Sequence, residues 1–290
     1  MLFSSATSEC LVCQTFLPSP QMRAIVSPWL RELGVTRKKM SYLFHCPKCS
    51  FSFFSYRFSD QELARLYSDY RGSNYVVARQ KYEGWYSETY NSAHSDPALL
   101  EARADVVKSF VSEWVDVSHS HVVDIGGDTG ELMEHLRPSS FEVIDPSSRA
   151  PRRKLVITQG NVFAVSAHTL EHVSNPTKFL DDLLASYRRV YIEIPLGIPQ
   201  LLSGRKSFVI NLLALVASYV PPIWRRFSAA SAGRTVVANV LRQSEHLQFF
   251  SEDSLRRMAE SVNAEVVVRP GIIPTPDNQV ANILQAWFVR

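Results

Sequence analysis

Two groups of residues in this chain have types and spacings that could do chemistry. The first is a set of four cysteines in two C-x-x-C pairs, Cys10 with Cys13 and Cys46 with Cys49, which uses every cysteine present. Two such knuckles supply four thiolates at tetrahedral zinc spacing. All four ligands come from protein, so the site is closed and a metal there would be structural. The alternatives are disulfides or free thiols, and His45 could replace one cysteine. The second group is the stretch Val122-Val123-Asp124-Ile125-Gly126-Gly127-Asp128-Thr129-Gly130-Glu131-Leu132. A β-branched run ends in an acid, a glycine-rich turn follows, and an amphipathic helix begins. Glycine lets backbone approach a ligand that a Cβ would exclude. The pattern is D-x-G-x-x-x-G rather than the G-x-G-x-x-G that seats a pyrophosphate on a helix N-terminus. Acids at the strand end and at the helix start suit a ligand carrying positive or hydroxyl groups better than phosphates.

Further groups follow the same strand-end logic. Phe141 to Asp145 reads as a strand ending in a carboxylate able to accept two hydrogen bonds from a ribose diol. Val162 to Ser166 reads as another strand, followed by His168, Glu171 and His172 where α/β sites assemble. His168 and His172 stand at helical i, i+4 spacing, but no third metal ligand accompanies them. Tyr191 to Pro195 is a strand carrying Glu193 near its end. Between Val162 and Asp145, Lys154 to Thr158 looks like a further strand whose connecting helix is shortened.

The elements that must position these groups are legible from periodicity. Ser59 starts a helix in a capping pattern, with Leu63, Leu66 and Tyr67 on one face. An aromatic-rich stretch with two arginines follows, including Tyr75 and Arg79. It reads either as a helix packing its aromatic face or as a cap whose tyrosine hydroxyls and arginine hold a ligand carboxylate or sugar hydroxyl. Asp96-Pro97 caps a long amphipathic helix leading into the glycine-turn strand. Near the C-terminus, a helix over Ser254 to Val262 and strands at Ala264 to Val268 and Asn282 to Val289 are predicted, the two strands antiparallel.

Composition narrows the function classes. The chain has 290 residues, 46% of them hydrophobic, and 31 basic against 28 acidic residues give a net charge of +3. That near balance gives no support for a polyanion-binding protein. Phe208 to Val220 is the longest apolar stretch, too short for a membrane span. No secretory leader is visible, and the expected location is cytoplasmic.

The ordered set of motifs resembles class I S-adenosylmethionine (SAM) methyltransferases: D-x-G-x-x-x-G, the strand ending at Asp145, His168-Thr169-Leu170-Glu171-His172-Val173, the Glu193-Ile194-Pro195 strand, and Glu245-His246-Leu247-Gln248-Phe249-Phe250-Ser251. With its two N-terminal knuckles, the chain is similar to zinc-ribbon methyltransferases of bacterial sugar and polysaccharide pathways. The resemblance implies a Rossmann-like α/β sheet with a C-terminal antiparallel strand, a zinc ribbon over residues 1–58, a helical connector or cap over 59–118, and a SAM-binding domain over 119–290 with a helical insertion at 197–243. It implies SAM and a structural zinc ion as cofactors. Cofactor contacts fall to Asp124, Gly126, Gly127, Asp128, Gly130, Asp145, His168, Tyr75 and Arg79, and catalysis to His246 as base, with Glu193 and His172 as further candidates. The acceptor would be a nucleotide-sugar or glycan hydroxyl or carbon. Asp128 stands where the family motif has glycine; aspartate tolerates left-handed backbone better than most residues, and its carboxylate could pair with the cofactor amine. The insertion reads as a packing or dimerising helical pair, or as a lid or amphipathic surface (205–227) for a lipid-linked substrate. Rival readings are a nucleic-acid methyltransferase using the ribbon, opposed by the absence of an Asn/Asp-Pro-Pro-aromatic strand end and of a basic stripe; a nicotinamide oxidoreductase, opposed by the glycine spacing; and a non-catalytic SAM-binding partner protein.

Overall fold

A computed structural model describes residues 8–146, 161–196, 220, 222–224, 242–275 and 280–290. The chain first forms β1 (Ser8–Glu9), β2 (Phe16–Leu17), β3 (Met22–Val26), α1 (Pro28–Glu32), β4 (Met40–His45), β5 (Ser52–Phe54), α2 (Asp60–Tyr67), α3 (Ser73–Tyr82) and α4 (Glu88–Ser92). Next come α5 (Pro97–Val111), β6 (Ser120–Ile125), α6 (Glu131–Leu136), β7 (Ser140–Ile144), β8 (Asn161–Ala167), α7 (Pro176–Ser186) and β9 (Arg189–Pro195). The described chain resumes with β10 (Arg242–Gln243), β11 (Gln248–Phe249), α8 (Glu252–Ser261), β12 (Glu265–Pro274) and β13 (Val280–Val289). The predicted strand at Lys154 to Thr158 and nearly all of the helical insertion at 197–243 lie outside the described residues. Among the described residues no helix is long and apolar enough to cross a membrane.

Two compact units result: residues 1–91 with 197–250, and residues 92–196 with 251–290. The helical stretch 59–118 therefore divides, because its two parts bury against different cores. In the first unit a five-stranded sheet runs β10-β3-β4-β5-β11, and β1 and β2 form a separate hairpin. Leu66 of α2 and Tyr75, Ala78 and Tyr82 of α3 pack with Trp29, Leu30 and Trp224 into an aromatic-rich core. Ser59 caps α2 as predicted, in a reciprocal box with Glu62.

The second unit is a six-stranded sheet, β12-β13-β9-β8-β6-β7. β6, β7, β8 and β9 are parallel, while β13 runs antiparallel to β9 and β12. This is the mixed α/β sheet with a C-terminal antiparallel strand that the sequence predicts. β12 continues past Val268 to Pro274. Its Pro270 is tolerated because β12 is the edge strand, where a missing N–H breaks no ladder. Asp96 caps α5 through the Ala98 and Leu99 amides, and Leu100, Ala104, Val107, Phe110 and Val111 face the core. Register aligns Asp124 with Val165 and Ala167 with Glu193, so the carboxyl ends of β6, β8 and β9 share one edge of the sheet. The chain order reverses about β6, which has β7 on one side and β8 on the other; such a switch point opens a crevice at the strand ends.

Candidate active site at the strand ends

Every residue of β6 is buried, and it delivers Asp124 into a turn in which alternate residues are left-handed. Gly126 and Gly130 both have φ of +79°, and Asp128 has φ of +49°. Asp128 therefore takes the left-handed backbone that its position demands. The turn is packed from below. A Cβ on Gly126 would lie 2.3 Å from Thr169 Oγ1, and one on Gly127 would lie 1.9 Å from Asp124 Oδ2. Thr169 Oγ1 donates to the Ile125 carbonyl at 3.1 Å, tying the loop after β8 to the end of β6. Asp145, just past β7, accepts the Asp128 amide at 2.9 Å through Oδ2. The structure thus brings Asp124, Gly126, Gly127, Asp128, Gly130 and Asp145 into one cradle.

Beside it lies a cluster of buried charge. Glu193 is fully buried, and its Oε1 faces Arg103 Nη2 at 3.0 Å and His168 Nε2 at 3.1 Å. Tyr191 Oη donates to the other oxygen at 3.1 Å and accepts from Gln285 Nε2 at 2.8 Å. His168 Nδ1 is 3.5 Å from Glu171 Oε1, and Glu171 is itself buried. His168 adopts φ of +56°, a left-handed conformation for a bulky residue. Burial alone would drive its proton off, but Glu171 and Glu193 outweigh that and raise its pKa to about 9. Burial would raise Glu193, yet His168 and Arg103 hold it at about 2. A carboxylate so stabilised is a poor proton acceptor. Glu193 thus anchors His168 and Arg103. His172 sits in the same turn, its Nε2 3.9 Å from Glu171 Oε1.

Arg103, Thr169, Tyr191 and Gln285 were not among the sequence candidates. Arg103 could have been suspected: it interrupts the apolar stripe of α5 three residues after Leu100 and four before Val107.

In the first unit, Tyr75 and Arg79 are engaged with neighbours. Tyr75 Oη donates to Glu245 at 2.6 Å, and Arg79 Nη1 donates to Tyr75 Oη at 2.7 Å. Arg79 also pairs with Glu83 at 2.9 Å and Glu245 at 3.2 Å. Its guanidinium lies 4.1 Å from the Tyr86 ring centroid and 5.2 Å from that of Trp29. His246 follows Glu245 in this unit.

The four cysteines, far apart in the chain, converge there as well. Their sulfurs all lie within 4.8 Å of one another, with Cys10 and Cys49 at 3.6 Å and Cys13 and Cys46 at 3.4 Å. Metal–sulfur bonds of about 2.3 Å in a tetrahedron require sulfur separations of about 3.8 Å. None of the cysteines is disulfide-bonded. The Cys10 thiol is lowered to about 5, chiefly by the hydrogen bond from Cys49. The cluster is compatible with zinc. His45 hydrogen-bonds Ser52 Oγ at 2.9 Å and is not one of the four clustered ligands.

A family model described as a methyltransferase domain matches residues 99–268, more than half of the chain. No curated protein matches in sequence. Similar solved structures include magnesium protoporphyrin IX methyltransferase from Synechocystis PCC 6803 with bound SAH, 14% identical over 79% of this chain and 99% of that one, with a TM-score of 0.42. The plantazolicin methyltransferase BpumL, in complex with a pentazolic desmethylPZN analog and SAH, is 14% identical over 79% and 94%, with a TM-score of 0.44. A cyclopropane-fatty-acyl-phospholipid synthase-like protein from Lactobacillus casei ATCC 334 is 12% identical over 68% and 92%, with a TM-score of 0.37.

Proposed function

The chain belongs to the methyltransferase-domain family, and on that premise we propose that it methylates a sugar, at a hydroxyl or carbon of a nucleotide-sugar or glycan, with SAM as donor. SAM supplies an electrophilic methyl group on a sulfonium. The observation that carries the donor reading is the cradle itself: a left-handed glycine turn with buried Asp124 beneath it and Asp145 fixed across it by the Asp128 amide. In this reading the turn receives the amino-acid end of the donor, and Asp145 faces the ribose hydroxyls. Tyr75 and Arg79, which also hold Glu245, are the further donor contacts of this reading.

A sugar hydroxyl has a high pKa, so an acceptor needs a base at the moment of attack. His246 fills that role, with His172 as the second candidate. Glu193 contributes position rather than basicity, since Arg103 and His168 hold it in its ionised form. Cys10, Cys13, Cys46 and Cys49 hold a structural zinc ion that fastens the β1–β2 hairpin to the knuckle after β4.

The reading is tested by incubating the protein with methyl-labelled SAM and a panel of nucleotide-sugars, then following label by mass spectrometry. Label in a sugar supports the acceptor class; label appearing only in peptide, lipid or nucleic acid from parallel panels rejects it. His246→Ala is expected to reduce turnover on the true acceptor by at least about 100-fold while leaving SAM binding intact. Near-wild-type turnover would remove His246 as base.

A further inference from the structure

Asp124 presents a feature that cofactor seating alone does not explain. Its side chain is only 2% exposed, and its Oδ2 has no hydrogen-bond partner among the described residues. An unpaired buried carboxylate is costly, and a group so placed normally stays neutral by keeping a proton. The oxygen is pressed against the underside of the turn, since a Cβ on Gly127 would fall 1.9 Å from it. The charged groups facing it are two of opposite sign: Asp145 beyond β7 and Arg103 on α5. His168 after β8 and Glu193 of β9 also lie at this sheet edge, and they are committed to each other, to Glu171 and to Arg103. Burial, and then the neighbouring Asp145, raise Asp124 to about 7, with Arg103 opposing them.

We propose that Asp124, buried with one carboxyl oxygen unpartnered, exchanges its own proton for the positive charge of the ligand that binds over the turn. In the free protein near neutral pH the carboxyl carries its proton about half the time, which relieves the repulsion from Asp145. A ligand ammonium placed over Gly126 and Gly127 stabilises the ionised form, the O–H bond breaks, and the proton leaves to buffer. The positive charge of the ligand then stands where the proton stood. An adenosyl compound without the amino-acid end cannot make this exchange. The inference rests on the reading of this cradle as the SAM site.

The test is isothermal titration calorimetry on the full chain at pH 7.0 in two buffers of different ionisation enthalpy. The ligands are SAM, S-adenosylhomocysteine and 5′-methylthioadenosine, the last lacking the ammonium. SAM and S-adenosylhomocysteine are expected to release about half a proton per site, and 5′-methylthioadenosine none, because a group at about 7 is half protonated at that pH. In one buffer, SAM affinity should rise roughly fivefold from pH 6.0 to 7.0, a window in which the ligand amine keeps its charge. Asp124→Asn should abolish both the proton release and the pH dependence. If SAM binds wild-type protein with no buffer dependence, or if release is equal for all three ligands, the exchange is overturned while the cofactor site stands. If neither SAM nor S-adenosylhomocysteine binds, the site reading fails and the exchange with it. The wild-type measurements decide the matter even if Asp124→Asn does not fold.

Discussion

Each unit of this molecule buries a cluster of charge, and the two clusters are built differently. In the first unit Arg79 meets Glu83 and Glu245, donates to Tyr75, and is covered by the rings of Trp29 and Tyr86. Arg242 adds a second cation 2.8 Å from Glu83, so two arginines face two glutamates. In the second unit Arg103 and His168 face Glu193, Glu171, Asp124 and Asp145, an excess of acid. Asp124 Oδ2 is a buried carboxylate oxygen with no hydrogen-bond partner among the described residues. A balanced, ring-covered network fixes a fold. An unbalanced one at a sheet switch point retains capacity for a ligand, and a cationic one above all.

The largest effect should come from opening the balanced cluster. Arg79→Met takes the guanidinium from the fully buried Glu83 and the half-buried Glu245 and should cost about 3 kcal/mol or more of stability, read by chemical denaturation. If Arg79→Met were as stable as the wild type, the first cluster would lose its structural standing. Arg103→Met should cost less stability, about 1–2 kcal/mol, because His168 and Tyr191 remain on Glu193. Its methyl transfer should nonetheless fall by 10-fold or more in a steady-state assay. A reversed order, with Arg103→Met unfolding the protein and Arg79→Met silencing only activity, would break the contrast.

The smallest effect is a slope with pH. The folded-state pKa of His168 is raised, to about 9, so its contribution is fully present below about 6.5 and is lost as pH rises toward 9. Its side chain is 31% exposed, so the contribution should be about 1–2 kcal/mol, less than the full linkage value. Denaturation midpoints of wild type and His168→Asn should therefore converge between pH 6.5 and 9. Parallel curves would show that the Glu171–His168–Glu193 contact holds no charge.

What the sequence discloses here is local. The glycine turn, its left-handed Asp128 and the Ser59 and Asp96 caps follow from residues within a few positions of one another, and the antiparallel pair of β12 and β13 from neighbouring segments of the chain. The convergence of two C-x-x-C knuckles was also legible, because tetrahedral thiolate chemistry demands it across any intervening length. The charge clusters were not. Arg103 finds Glu193 90 residues away, and Tyr75 finds Glu245 170 residues away. No periodicity couples such positions. That Tyr75 and Arg79 hold Glu245 is equally invisible in the sequence, since an arginine among tyrosines has the same composition whether its anion is a ligand or a distant glutamate. The place of His168 after a strand end is legible, but its clamp between two acids depends on register between β8 and β9.

The pairing of β10 with β3 and of β11 with β5 has a consequence for synthesis. The cysteine-bearing strands leave the ribosome before β6 to β9, yet their sheet lacks both edge strands until residues 242–249 emerge. By then β6 to β9 have already been made. Closing Phe53 onto Gln248 spans nearly 200 residues, an entropic cost that grows only slowly with loop length but delays completion. The unit begun first is thus finished late, with the strand edges of β3 and β5 open in the interval, the state in which unpaired edges invite wrong partners. A fragment ending at residue 91 would hold that incomplete form permanently.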